Sequence, residues 1–189
     1  DAPLESELFR GILSAIQDRA LVGLIWLVAL PALMFSAVIV LIPLRLDASG
    51  WGTAAIGAVF LVGAAGEMIL APVSGRFSDR QGRQLPIQLG LVGLTVLCIG
   101  LAWVNFAFVV AALTVAVSVA IGTTTTPSIA LLTDAAERFG LASGIAFGLV
   151  NVAWAAGSLI GPVSAGALAD LSGDALPFVI AALLSATTL

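Results

Sequence analysis

The sequence predicts an all-α membrane protein whose six transmembrane helices form two inverted repeats of three helices. Three observations support this fold class. The chain of 189 residues is 60% hydrophobic and only 10% charged, whereas a soluble domain is about a quarter charged. It contains apolar runs of about 20 residues, the length that crosses a bilayer as a helix, without the alternation of a barrel strand. The residues that end the second run also resemble those that end the fifth.

Residues 1–19 are the longest polar segment. Apolar side chains recur there at helical spacing among charges, at Leu4, Leu8, Ile12, Ala15 and Ile16. This pattern is typical of an amphipathic helix that lies along a membrane surface. We interpret 1–19 as a cytoplasmic leader or linker, and 20–189 as a transmembrane bundle.

Six apolar runs follow the leader. They predict spans at residues 20–44, 53–73, 85–103, 106–132, 141–168 and 175–189. The last run has 15 residues and corresponds to about 22 Å of helix, less than a bilayer core. We therefore expect the sixth helix to be truncated.

The arginines lie almost entirely on one side of this arrangement. Arg45 is alone on one side, and the other side holds Arg10, Arg19, Arg76, Arg80, Arg83 and Arg138. Arginine is enriched in cytoplasmic segments of membrane proteins. The prediction is a multi-pass protein of the inner or plasma membrane, with the N-terminus of this chain in the cytoplasm.

Two segments suggest an internal repeat. Residues 64–82 read AAGEMILAPVSGRFSDRQG and residues 155–173 read AAGSLIGPVSAGALADLSG. Both contain AAG, PVS and a Gly-Asp-Gly pattern, but the second lacks the arginines of the first. Because the second span ends inside and the fifth ends outside, this difference fits two triplets of opposite orientation.

The stretch GRFSDRQGRQ is predicted to be a short loop between the second and third spans. It resembles the signature found there in each half of the major facilitator superfamily. Gly75, Asp79, Arg80, Gly82 and Arg83 match that signature, while glutamine follows where a basic residue is usual. The resemblance implies one six-helix half of a twelve-helix transporter, with the other half as its partner.

The fifth span carries a second resemblance. Gly157, Gly161 and Pro162 are similar to an element of drug and proton antiporters. The fourth run has no arginine, which such antiporters carry in their first half, so we favour the C-terminal half over the N-terminal half. This resemblance implies efflux of a drug-like or amphipathic small molecule in exchange for protons. The alternatives are a uniporter or symporter for a sugar or organic anion, and a non-transporting membrane assembly module.

The signature residues suggest a conformational latch. The resemblance implies that Asp79 faces a helix N-terminus of the other half, where backbone N–H groups favour a carboxylate. We expect Arg80 or Arg83 to pair with Asp134 or Glu137 at the inner end of the fourth span. The alternative is a solvated loop that only sets topology.

Glu67 is the only acidic residue well inside a predicted span. Because a charge inside a bilayer costs free energy, some other interaction must offset it. The functional hypothesis is that Glu67 takes up and releases a proton during transport. The alternative is a neutral or paired carboxyl that packs between helices.

Other candidates lie in the fourth and fifth spans. Asn151 and Trp154 could line a central cavity. Gly144 and Gly148 belong, with Pro162, to a stripe of small residues that permits close helix packing, and Gly157 and Gly161 are further candidates for helix packing or a kink. Pro127 removes a helical hydrogen bond and predicts a kink, which nearby threonine hydroxyls or water would partly compensate.

Other classes of function are disfavoured by composition. The chain has no histidine and a single cysteine, so there is neither a His-based triad nor a metal-ligand spacing. We expect no enzyme activity, cofactor or metal. No segment is basic enough to bind nucleic acid, so the expected partners are the lipid bilayer, a small-molecule substrate and protons.

Overall fold

The computed structural model describes residues 18–189, and the predicted leader lies outside this part of the chain. Within it, six α-helices follow one another with short connections. They are α1 Arg19–Ala48, α2 Thr53–Gln81, α3 Gln84–Trp103, α4 Ala107–Arg138, α5 Ser143–Ser172 and α6 Ala175–Thr188. Asp18 caps α1, because its carboxylate accepts hydrogen bonds from the backbone N–H groups of Ala20 (2.8 Å) and Leu21 (3.1 Å).

Helices α1 to α5 are each long and apolar enough to cross a membrane. Helix α6 has 14 residues and reaches only about 21 Å, short of a hydrocarbon core of about 30 Å. The predicted positions of the helices agree with the structure, but α1, α2, α4 and α5 run several residues beyond the predicted spans. Helix α4 continues to Arg138, for example.

The prediction of a loop at GRFSDRQGRQ was wrong. Residues 75–81 form the last two turns of α2, and only Gly82 and Arg83 separate it from α3. The prediction ended the helix where the apolar run ended, although loss of hydrophobicity marks the edge of the bilayer and not the end of a helix. Helix α2 ends at Gly82 because its backbone has φ 86° and ψ 159°, a conformation essentially restricted to glycine.

The helices pack mainly against partners that are distant in sequence. Helix α1 packs most extensively on α5, and α2 packs on α4, whereas α1 and α2 contact each other little. Helix α3 lies against α4 and α6. The first three helices are therefore interleaved with the last three.

Two apolar clusters fill the bundle. The larger one involves all six described helices, mainly α1, α3, α4 and α6, and includes Leu30, Leu94 and Phe178. The smaller one lies near the start of α1 and the end of α4, and it includes Leu21 and Leu132. We call the end of the bundle that carries Arg19, Arg83 and Arg138 the arginine end.

At the opposite end, Arg45 binds the last turn of α3. Its guanidinium donates hydrogen bonds to the carbonyls of Leu101 and Val104 and, at 2.8 Å, to the side-chain oxygen of Asn105. The last carbonyls of a helix lack intrahelical donors. Arg45 therefore has a structural role that accounts for its position away from the other arginines.

Candidate functional site

At the arginine end, an ion pair connects the start of α3 to α4. The Arg83 guanidinium pairs with the Asp134 carboxylate and donates a 2.9 Å hydrogen bond to the Ala130 carbonyl. Both charged side chains are partly exposed, at 36% and 45%. Exposed pairs contribute only about 0–1 kcal/mol to stability. Such a weak contact can break and re-form without unfolding the bundle.

The other signature residues lie at the surface. Asp79 and Arg80 are exposed, and neither forms an ion pair within residues 18–189. Glu137 is also exposed and accepts a 2.7 Å hydrogen bond from the Ser143 hydroxyl. A side chain at Gly75 would meet open space. Among the latch candidates, the structure thus brings together only Arg83 and Asp134.

Glu67 lies in the middle of α2, partly buried against α4. An ideal Cβ on Gly122 would lie 2.5 Å from Cγ of Glu67, closer than real Cβ atoms approach other atoms. Any side chain at position 122 would therefore displace the glutamate. The neighbouring segments 20–44 of α1 and 107–133 of α4 contain no charged residue, so Glu67 is the only charge in this part of the bundle.

Glu67 also lines a cleft of about 500 Å³. The volume falls in the range of small-molecule binding sites, about 300–1,000 Å³. Apart from Glu67, the cleft is mainly apolar, with the hydroxyls of Thr53 and Ser118 as further polar groups and with Phe35 and Phe60 as aromatic walls. A carboxyl in an apolar, aromatic cleft is suited to an amphipathic cation.

A second cleft, of about 670 Å³, lies near the end opposite the arginines. Trp51 and Phe108 form its aromatic wall, with their rings edge to face at 5.1 Å. The remaining lining residues are glycine, alanine and valine. Although this cleft is larger, it offers no polar side chain that would orient a ligand apart from the indole N–H, so the Glu67 cleft is the stronger candidate site.

A comparison with known families supports a transport protein. The family model of the Major Facilitator Superfamily matches residues 2–147. The chain belongs to this superfamily. No curated protein matches it. Superfamily membership and the apolar helices make the chain a multi-pass membrane protein of a secondary transporter family, which is not enzymatic. The expectations of family, membrane helices and transport are thereby confirmed.

In this superfamily member, the two cavity candidates of α5 lie in different surroundings. Asn151 is exposed and lines neither cleft. Trp154 is partly buried, and its ring lies 6.4 Å from that of Phe35. Because Phe35 lines the Glu67 cleft, Trp154 packs against a residue of the cleft wall without lining the cleft itself.

The glycines of α5 divide between two faces. Gly157 and Gly161 are buried against α1, where added side chains would overlap the carbonyls of Ala29 and Leu33. Gly144 and Gly148 are exposed, and a side chain there would meet open space in the described chain. Pro162 follows the buried glycines within the continuous helix. The close contact of α5 with α1 therefore uses only the second pair of glycines.

Helix α4 continues through Pro127. Proline has no N–H, so the carbonyl of Thr123 lacks its helical donor. The hydroxyls of Thr123 and Thr124 do not replace this donor, since they bond the carbonyls of Val119 and Ala120 at 2.9 Å. Within residues 18–189, no hydroxyl donates to the Thr123 carbonyl. Threonine hydroxyls therefore do not compensate for the donor lost at Pro127, contrary to the prediction.

Two residues of this region were not identified from the sequence. Gly122 provides the space for Glu67, and Ser74 has a buried hydroxyl oxygen with no hydrogen-bond partner in the described chain. Gly122 is the first residue of the GTTTTP stretch, and this position could have suggested a special packing role. The unpartnered hydroxyl of Ser74 has no sequence signal, because it depends on how α2 faces α4.

Proposed function

We propose that this superfamily member is half of a transporter that exports amphipathic, cationic small molecules in exchange for protons. One observation carries the proposal: Glu67 is the charged residue of an apolar, aromatic cleft of about 500 Å³. An isolated carboxylate in such surroundings is costly unless a proton or a bound cation neutralises it. A proton and a cationic substrate would therefore compete for the same group.

This competition would couple the two fluxes. When Glu67 is protonated, its side chain is neutral and the cleft does not bind the cation. The cation is then not carried back across the membrane. When a cation binds, the proton must have left. If the cleft opens alternately to the two sides of the membrane, each crossing of the substrate in one direction is matched by a proton crossing in the other. Phe35 and Phe60 would hold the apolar part of the substrate.

We further propose that the chain is the C-terminal half and consists of two inverted triplets, α1 to α3 and α4 to α6. The interleaved packing supports this proposal, because α1 on α5 and α2 on α4 are equivalent pairs under such a repeat. The ends of α2 and α5 support it too. Gly82 and Gly173 stand at equivalent positions and share a backbone conformation, with φ 86° and 78°.

The arginine end would face the cytoplasm, as the distribution of arginines favours. There Asp79 would bind the N-terminus of a helix in the other half. The Arg83–Asp134 ion pair would form in one access state and break in the other. The exposed position of Asp79 supports this role, since its carboxylate is available to another part of the protein. Segment 1–19 would connect the two halves.

Transport of ethidium, a fluorescent amphipathic cation, tests the function. Full-length protein is reconstituted in liposomes with an acidic lumen, and ethidium accumulation is measured. The wild type should accumulate ethidium, and Glu67→Gln should fall to the level of protein-free liposomes, because an amide cannot exchange a proton. Ser158→Ala changes the residue of α5 that corresponds to Glu67 and should retain transport. Proton-driven accumulation by the Glu67→Gln variant would refute the coupling role.

A further inference from the structure

We propose that a water molecule bound between α2 and α4 connects Glu67 to Ser74 and carries protons between Glu67 and the arginine end. This proposal rests on the proposed function and adds the route by which the proton leaves. It follows from three neighbouring features of the α2–α4 interface, where Ser74 and Thr123 line the same small cavity. They are an unpartnered hydroxyl, a carbonyl without its helical donor, and a cavity.

The hydroxyl belongs to Ser74. Its oxygen is buried and has no hydrogen-bond partner within residues 18–189. A buried polar group that lacks a partner costs about 1–3 kcal/mol. Buried hydroxyls in proteins are therefore almost always paired with protein atoms or with bound water.

The cavity lies directly beside this hydroxyl. Its lining includes Glu67 and Ser74 of α2, and Gly122 and Thr123 of α4. The volume open to the centre of a water molecule is about 10 Å³, which is roughly the space that one water requires. Gly122 contributes by leaving out a side chain, which also lets the Glu67 carboxyl reach the cavity.

The carbonyl belongs to Thr123. Since residue 127 is proline, this carbonyl lacks the N–H donor that residue 127 of a regular helix would supply. A bound water needs two to four polar partners. Glu67, Ser74 and Thr123 can supply three, so the site has both the room and the chemistry for one water.

The position of the site gives the water a role. Ser74 and Thr123 also line a cleft of about 210 Å³ that includes Phe77 and Pro86, near the arginine end. Glu67 therefore lies between its own cleft on one side and the water site on the other. No charged residue of α1 or α4 faces it, since segments 20–44 and 107–133 have none, and the nearest on α2 is Arg76.

The proton transfer balances without any further reactant. The protonated Glu67 gives its proton to the water, and the water passes one of its own protons to the Ser74 oxygen. As its hydroxyl rotates, Ser74 passes its original hydroxyl proton to a second water in the adjoining cleft, which Ser74 also lines. Glu67 becomes a carboxylate, while the water and Ser74 return to their starting forms.

Ser164 provides a matched control, because it occupies the same PVS position in α5 as Ser74 does in α2. Its hydroxyl donates to the carbonyls of Ile160 (2.7 Å) and Gly161 (3.2 Å). It is thus satisfied within its own helix. Loss of this hydroxyl should leave any water at the α2–α4 interface undisturbed.

Infrared difference spectroscopy on the purified full-length protein tests the water site. Subtraction of the Glu67→Gln spectrum isolates the Glu67 vibration, whether the group is a neutral acid or a carboxylate. We expect Ser74→Ala to shift this vibration and Ser164→Ala to leave it unchanged. In water labelled with the heavy oxygen isotope, the wild type should show a shifted O–H band from a bound water, and that band should be lost in Ser74→Ala.

The two proposals fail in different ways. A Glu67 vibration that is the same in Ser74→Ala and the wild type would overturn the water site, as would an equal shift in Ser164→Ala. A carboxylate vibration at every pH would instead reject proton coupling at Glu67. In that case the difference between the wild type and Ser74→Ala still reports whether water links the two side chains.

Discussion

Helices α2 and α5 contain similar sequences, yet they pack in different ways. In α5, Gly157 and Gly161 bring its backbone against the carbonyls of Ala29 and Leu33 in α1. In α2, Gly66 corresponds to Gly157, but a side chain there would meet only the end of the Val119 side chain, at 3.2 Å. At these equivalent positions the backbones of α1 and α5 are in direct contact, whereas α2 at Gly66 meets only a side chain of α4.

Two differences in sequence account for this contrast. Glu67 in α2 corresponds to Ser158 in α5, and the longer side chain occupies the gap beside Gly122. Gly161 in α5 corresponds to Ala71 in α2, which is exposed and makes no such approach. Of these two similar segments, the one in α5 thus forms a close helix contact, and the one in α2 lies beside cavities and carries an ionisable group.

The largest effect on stability is expected where α5 touches α1. Gly157→Ala places a methyl group on the Ala29 carbonyl, which belongs to the backbone and cannot turn aside. Overpacking of this kind costs about 1–3 kcal/mol, and we expect the upper end. Gly66→Ala, its counterpart in α2, should cost less because Val119 can adjust. Thermal unfolding of the purified full-length variants measures both. Equal losses would break the proposed contrast between the two contacts.

A smaller effect is expected at the ends of the two helices, where they agree. Gly82→Ala and Gly173→Ala should each cost about 1–3 kcal/mol, and we expect the lower end, because both force a side chain into a conformation that glycine alone adopts readily. Gly75→Ala is the control. It lies inside α2 with open space around it, so alanine should stabilise the helix by up to about 1 kcal/mol. Destabilisation by Gly75→Ala would indicate that residues 75–81 are not helical in the native protein.

The smallest effect concerns two aspartates, Asp79 in the last turn of α2 and Asp170 in the last turn of α5. If Asp79 binds a helix N-terminus of the other half, Asp79→Asn should remove about 0.3–1 kcal/mol. The ratio of inward-facing to outward-facing molecules would then change by at most about fivefold. Spin labels on the two halves report this ratio. Asp170→Asn should leave it unchanged, and an unchanged ratio in Asp79→Asn would remove the latch.

The positions of the helices could be predicted because a bilayer requires long apolar segments, and five of the six helices have them. Their ends could not be predicted in the same way. Residues 75–81 are polar because they leave the lipid, but their backbone continues the helix to Gly82. Hydropathy therefore predicted which residues lie in the membrane, but it did not predict where helix α2 ends.

The candidate site was partly accessible from sequence. Glu67 stands out because a carboxyl is rare inside a span, and Arg83 and Asp134 could be placed at the same end because the spans alternate in direction. Which side chains touch was not accessible. The contact of Glu67 with Gly122 and the difference between Ser74 and Ser164 depend on the rotation and separation of helices far apart in sequence.

The brief connection after α2 has a mechanical consequence. Only Gly82 and Arg83 separate two long helices, and the three intervals between Gln81 and Gln84 can extend to about 10 Å at most. Such a tether has almost no slack, so any pull on the end of α2 reaches the first turn of α3 at once. The connected ends of the two helices would then move as one unit. The bending that accompanies transport would have to occur within the helices themselves.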